Sequence, residues 1–148
     1  SDLSYMEEPS MGSLFYCLEC PADSGQTAFV SMAAAYDALP PDMQQRLLGL
    51  NGVHDYVWNY ARAHTTRPPL SEAQKAQTPP VVHPAVRSHP EIMAFAERPE
   101  FVYVHDWTPG DMLIWDNRSA VHKAMPFDEE NARRRMHRTT IRGERPFL

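Results

Sequence analysis

His122 is followed by a short acidic loop, Asp128-Glu129-Glu130, and then by the run Arg133-Arg134-Arg135-Met136-His137-Arg138. An imidazole can ligate a divalent metal or carry a proton. A guanidinium can grip a carboxylate or sulfonate at two points, which lysine cannot do. In an extended strand, side chains alternate between faces, so Arg134, Met136, Arg138 and Thr140 share one face. Arg135, His137 and Thr139 take the other. Arg134 and Arg138 then form a cationic strip about 13 Å long. Facing an interior, each would need an anion, because a buried unpaired charge is costly. Facing solvent, the same strand would pair with Asp128, Glu129 and Glu130, and His122 would be an ordinary histidine.

The elements that must place these residues are legible in outline. Residues 13–20, SLFYCLEC, read as a strand stopped by Pro21. ADSGQT is turn chemistry, and TAFV starts a second strand. Ser31 is suited to cap a helix over MAAAYDAL, ended by Pro40 and Pro41. A second helix starts at Pro41, with Met43, Leu47 and Leu50 on one face and a stop near Gly52. VHDYVW, residues 53–58, is expected as another strand. Residues 60–80 show little regular pattern, and a loop of that length often serves as a lid or binding loop. VVHPAVRSHP reads as an edge strand interrupted by proline. In FVYVHDWTPGDMLIWDN, two β-rich runs flank Thr108-Pro109-Gly110-Asp111, which suits a type II turn and predicts a hairpin. RRMHRTTI closes the chain as a strand. Strands dominate, no repeat is present, and a sandwich or jelly roll is favoured over a βαβ fold.

Composition narrows the classes. The chain has 148 residues, enough for one domain with a real core. Its 43% hydrophobic and 22% charged content is that of a globular protein. A net charge of −5 argues against nucleic acid as a partner. No apolar run reaches the ~20 residues of a membrane span, and SDLSYMEEPS is not a secretory leader, so a cytoplasmic location is expected. Two cysteines provide no disulfide framework.

The remaining candidates are weaker. Cys17 and Cys20 form a C-x-x-C, but positions three apart on a regular strand face opposite ways, and no second pair completes a zinc site. His83 and His89 suit structural roles, and His54, His64 and His105 lack ligand spacing. His137 faces away from Arg134 on a regular strand. Asp116 and Asn117 read as turn groups that orient the His122 strand, and Trp107 and Trp115 as packing residues.

PGDMLIWDNRSAVHKA followed by RRRMHRTTIRGERPF resembles the C-terminal signature of the TauD/TfdA family of iron(II)- and 2-oxoglutarate-dependent dioxygenases. SGQT with AFVSMAAAYDALP, and HPAVRSHPE, resemble further family segments in the same order. The resemblance implies a double-stranded β-helix, a cupin-like jelly roll. It implies Fe(2+), 2-oxoglutarate and O2, with two histidines and one carboxylate on the metal. His122 matches the distal histidine and Asp2 the carboxylate, with the proximal histidine expected just before Ser1. Thr27 and Arg134 match contacts to 2-oxoglutarate. Arg138 matches a position that binds an acid group of co-substrate or substrate. The implied reaction couples decarboxylation of 2-oxoglutarate to succinate with hydroxylation of a small anionic substrate, a sulfonate or an aryloxyalkanoate.

Two departures from the family pattern are expected to matter. Residues 1–148 read as one domain lacking its N-terminal part, and Glu91 meets Ile92 where relatives carry additional chain, as though a segment were excised at 91/92. The competing reading is a non-catalytic anion-binding module on the same fold. Homo-oligomer formation stays open.

Overall fold

The structure, a computed structural model, describes residues 3–63, 68–84 and 96–143. The described residues form eight strands: β1 (Gly12–Glu19), β2 (Thr27–Ser31), β3 (Asn51–His54), β4 (Val81–Pro84), β5 (Val102–His105), β6 (Met112–Asp116), β7 (Ala120–Ala124) and β8 (Arg135–Ile141). They form two three-stranded antiparallel sheets, ordered β6-β1-β8 and β5-β2-β7, and a separate β3-β4 ribbon. The two main sheets make the double-stranded β-helix. Strands adjacent in sequence, such as β1 and β2, repeatedly enter opposite sheets.

Register shows which side chains meet between the sheets. Ser13, Phe15 and Cys17 lie opposite Thr140, Arg138 and Met136, so these six share a face. Phe15 packs edge-on against Trp115 at 4.8 Å, and Phe29 of β2 meets Trp115 at 5.1 Å. These aromatic contacts join the sheets. The other face of the β2 sheet is covered by α1 (Met32–Asp37) and α2 (Pro41–Leu47). There Met32, Ala35, Leu39, Leu47 and Ala96 form a buried cluster with Val30 and Val121 packed on it. Ser31 caps α1, its hydroxyl accepting from Ala34 N, as the sequence predicts.

Several local expectations are corrected. The Pro109-Gly110 turn is present, with Asp111 N donating to Thr108 O and Gly110 at φ +100°. It does not close a hairpin: β5 pairs with β2 and β6 pairs with β1. The turn is a corner that carries the chain from one sheet to the other. Helix α2 ends before Gly49 (φ +83°), earlier than Gly52, leaving Leu50 exposed. After His54 the chain turns into α3 (Tyr56–Ala63), because Asp55 Oδ1 accepts from Trp58 N and nucleates a helix where a strand was expected. Within the 60–80 stretch lies α4 (Glu72–Ala76), set by a Ser71/Gln74 capping box. The edge character of β4 holds, and the rest of VVHPAVRSHP lies outside the described residues. No described helix is long and apolar enough to cross a membrane.

Candidate active site

His122 lies on β7 opposite Phe29, on the inner face of its sheet. Its ring sits 4.8 Å from Trp115, 6.1 Å from Phe29 and 6.4 Å from Phe15, between centroids. Nδ1 is buried, while the residue as a whole is half-buried. Two positions along β2 from Phe29, and therefore on the same face, stands Thr27, 1% exposed.

Arg134 reaches Thr27 from the opposite sheet. It precedes β8 by one residue and is not part of that strand, contrary to the expectation that the last strand begins with it. Freed from the ladder, its guanidinium turns inward. Nε donates to Gly25 O at 2.8 Å and Nη2 to Thr27 Oγ1 at 3.0 Å. Burial lowers its pKa, with the Cys17 and Cys20 sulfurs acting the other way. A guanidinium still stays charged near neutrality. The acidic loop does not claim it: Asp128 bonds Asn131 and the backbone of Glu130, which holds its carboxyl below the usual range.

Arg138 lies opposite Phe15, on the inner face but exposed to solvent. His137 pairs with Tyr16 on the outer face, as expected. Asp2, His64 and His89 lie outside the described residues. Among the described residues, no group of three or more His, Cys, Asp and Glu is gathered for a metal. His83 has the structural part expected of it, buried with Nε2 2.9 Å from Met6 O.

Other site residues emerge only in three dimensions. Gly25 adopts φ +70°, and a Cβ there would lie 3.2 Å from Arg134 Cδ, so the bare backbone makes room for the arginine. Trp107 Nε1 donates to Thr27 Oγ1 at 2.9 Å. Asn117 is buried, accepting from Trp115 Nε1 at 2.8 Å and donating to Ser10 and Ser13. It thus fixes the indole beside His122, a more specific task than orienting a turn. Asp116 instead binds Arg118 on the surface. Cys17 and Cys20 are free thiols with structural parts, and Cys20 Sγ donates to Trp107 O at 3.0 Å. A register shift between Cys17 and Glu19 breaks the regular alternation at the end of β1. Burial first, then the neighbouring Cys20, pushes the Cys17 thiol up to about 11.

An inward imidazole and a buried threonine on one face of a sheet, with a guanidinium anchored to that threonine, define a jelly-roll protein with a built polar site between its sheets. The sequence profile of the taurine catabolism dioxygenase TauD, TfdA family matches residues 1–93 and 91–140. A 2,4-dichlorophenoxyacetate dioxygenase of Cupriavidus pinatubonensis, described as α-ketoglutarate-dependent, is 34% identical over 169 residues. That match covers 95% of this chain and 58% of the relative, so the chain spans little more than half of that protein. A solved structure described as a putative α-ketoglutarate dependent 2,4-D dioxygenase from Burkholderia xenovorans superposes with a TM-score of 0.87 at 30% identity, covering 100% of this chain and 68% of that one. AAD-2, solved with Mn(II) and N-oxalylglycine, gives 0.86 at 28% identity, covering 100% and 69%. This chain belongs to the TauD/TfdA family.

Proposed function

We propose that the protein is an iron(II)- and 2-oxoglutarate-dependent dioxygenase that hydroxylates a small organic anion, with aryloxyalkanoates the first class to test and sulfonates the second. The observation that carries this reading is the convergence of Thr27 and Arg134 on the face that also bears His122.

The donors fit the dicarboxylic acid. A guanidinium has five N–H bonds, and two of Arg134's are spent on Gly25 and Thr27. The others are available for a carboxylate in two-point fashion. His122 offers the neutral nitrogen that iron(II) accepts, and Asp2 would add the carboxylate. Iron(II), when bound, supplies the centre at which 2-oxoglutarate and dioxygen react, so that succinate and carbon dioxide form as the substrate is hydroxylated. The chain's own residues hold the acid and keep water away: Phe15, Phe29 and Trp115 wall the imidazole with aromatic surface. Arg138, exposed on the inner face, is assigned to the substrate's acid group.

We also read the chain as one domain from which a segment is excised at 91/92. In support, the family profile matches in two blocks meeting at residues 91–93. An alignment of 169 residues also exceeds the 148 of this chain, so the relative carries residues that this chain lacks within the matched stretch.

The test is succinate formation, by protein that includes the histidine expected before Ser1, with iron(II), 2-oxoglutarate and a panel of aryloxyalkanoic acids and sulfonates. Substrate-dependent succinate is expected, and its absence across the panel would overturn the assignment. Arg138→Ala should raise the substrate KM by roughly ten-fold or more while leaving that of 2-oxoglutarate nearly unchanged. The reverse pattern would move Arg138 to the co-substrate.

A further inference from the structure

We propose that Trp107 is a positioning residue for the co-substrate, because its indole N–H helps turn the Thr27 hydroxyl proton toward the acid. The inference rests on the dioxygenase reading above. A hydroxyl has one proton to donate and two lone pairs with which to accept. Thr27 Oγ1 accepts from Trp107 Nε1 at 2.9 Å and from Arg134 Nη2 at 3.0 Å. Both partners are obligate donors, so neither can receive the threonine's proton. Both acceptor sites are filled, and the proton has one direction left. These two are the bonds Thr27 makes among the described residues, at 1% exposure. A buried hydroxyl proton in that state calls for an acceptor from a ligand, and a carboxylate beside Arg134 supplies one.

Trp107 is itself held firmly. It is 6% exposed, and its backbone carbonyl accepts from Cys20 Sγ at 3.0 Å. The His105 ring meets it at 4.5 Å and 84°. His105 is held in turn through Nδ1, 3.0 Å from Tyr103 Oη. The indole therefore cannot swing from Thr27 without leaving His105 of one sheet and the Phe15 ring of the other, 6.3 Å away. Without the indole N–H, Thr27 regains a lone pair and its hydroxyl can rotate among several orientations. Part of the binding free energy would then be spent on ordering it.

The experiment measures N-oxalylglycine affinity in the presence of Mn(II), by calorimetry on the full chain. The proteins compared are wild type, Trp107→Phe, Thr27→Val and the double variant. Trp107→Phe keeps the ring and removes the donor, and should weaken N-oxalylglycine by about ten-fold, with Mn(II) binding alone unchanged. The double variant should bind no more weakly than Thr27→Val, since the indole acts through the hydroxyl. Wild-type affinity in Trp107→Phe, or losses that add in the double variant, would overturn the inference while leaving the dioxygenase reading intact. Wild-type protein that takes up no N-oxalylglycine would overturn both. A second measurement guards against a misfolded variant. In wild-type protein labelled with 15N at the indoles, the Trp107 N–H resonance should move when N-oxalylglycine is added. That of exposed Trp58 should not. A Trp107 resonance that stays still would count against the proposal.

Discussion

Replacing Arg134 by lysine keeps the charge and removes the fork. In the native protein Nε–H and one Nη2–H are fixed to Gly25 O and Thr27 Oγ1, which leaves the remaining N–H groups for the acid. An ammonium has three donors on one atom and cannot hold both anchors while presenting two parallel bonds to a carboxylate. At least one charge-assisted hydrogen bond to the acid should be lost, about 1.5–3 kcal/mol. That corresponds to a roughly 10- to 150-fold rise in the dissociation constant for N-oxalylglycine. Calorimetry in saturating Mn(II) reads this directly, and titration with Mn(II) alone serves as the control. A change smaller than about three-fold would show that charge, not fork geometry, binds the acid. A parallel loss of Mn(II) affinity would show that Arg134 supports the metal site instead.

Other substitutions probe the remaining parts. His122→Ala should abolish measurable Mn(II) binding while the protein stays folded by circular dichroism; retained binding would remove His122 from the ligand set. Gly25→Ala puts a side chain at φ +70° and 3.2 Å from Arg134 Cδ. The backbone cost of about 1–2 kcal/mol should lower the thermal midpoint by about 2–8 °C. Weaker N-oxalylglycine binding should accompany it, and unchanged values for both would refute the packing argument. Cys17 gives a pH prediction. Its native thiol, pushed to about 11, holds its proton beyond the ordinary value of 9.0, so unfolded chains ionise first. Stability should be whole below pH ~9 and decline as pH rises toward about 11, and Cys17→Ser should flatten that decline in denaturant titrations. An equal decline in the serine variant would point to other groups.

Much of this was legible in the letters, for identifiable reasons. Alternation along RRMHRTTI placed Met136, Arg138 and Thr140 on one face, because strand period is local. Turn chemistry located Thr108–Asp111, yet a turn does not reveal whether its flanking strands pair together or part into two sheets. That choice is made by β1 and β2, far away in sequence. After His54 two local signals compete, the β-favouring Val53, Tyr56 and Val57 and the capping carboxylate of Asp55, and the cap wins. The capping box Ser71-Glu72-Ala73-Gln74 is a local signal that sets α4 within a stretch whose prolines otherwise read as loop. Gly25 and Trp107 carry no spacing signal at all, since their roles arise from contacts with residues 109 and 80 positions away. The register shift at the end of β1 is likewise invisible in the letters, because a bulge is set by the partner strand and not by the strand's own sequence.

The pairing of β1 with β8 has a consequence for how the protein is made. Gly12 aligns with Ile141, and Thr27 waits for an arginine 107 residues downstream. On a ribosome, the site can be completed only after β8 has emerged, because each sheet combines one strand from residues 12–31 with two from residues 102–141. Such long closures are slow to form. Nascent chains would therefore carry β1 and β2 without their partners through most of this stretch, and a ligand that binds the finished site would act on the last stage of its assembly, not the first.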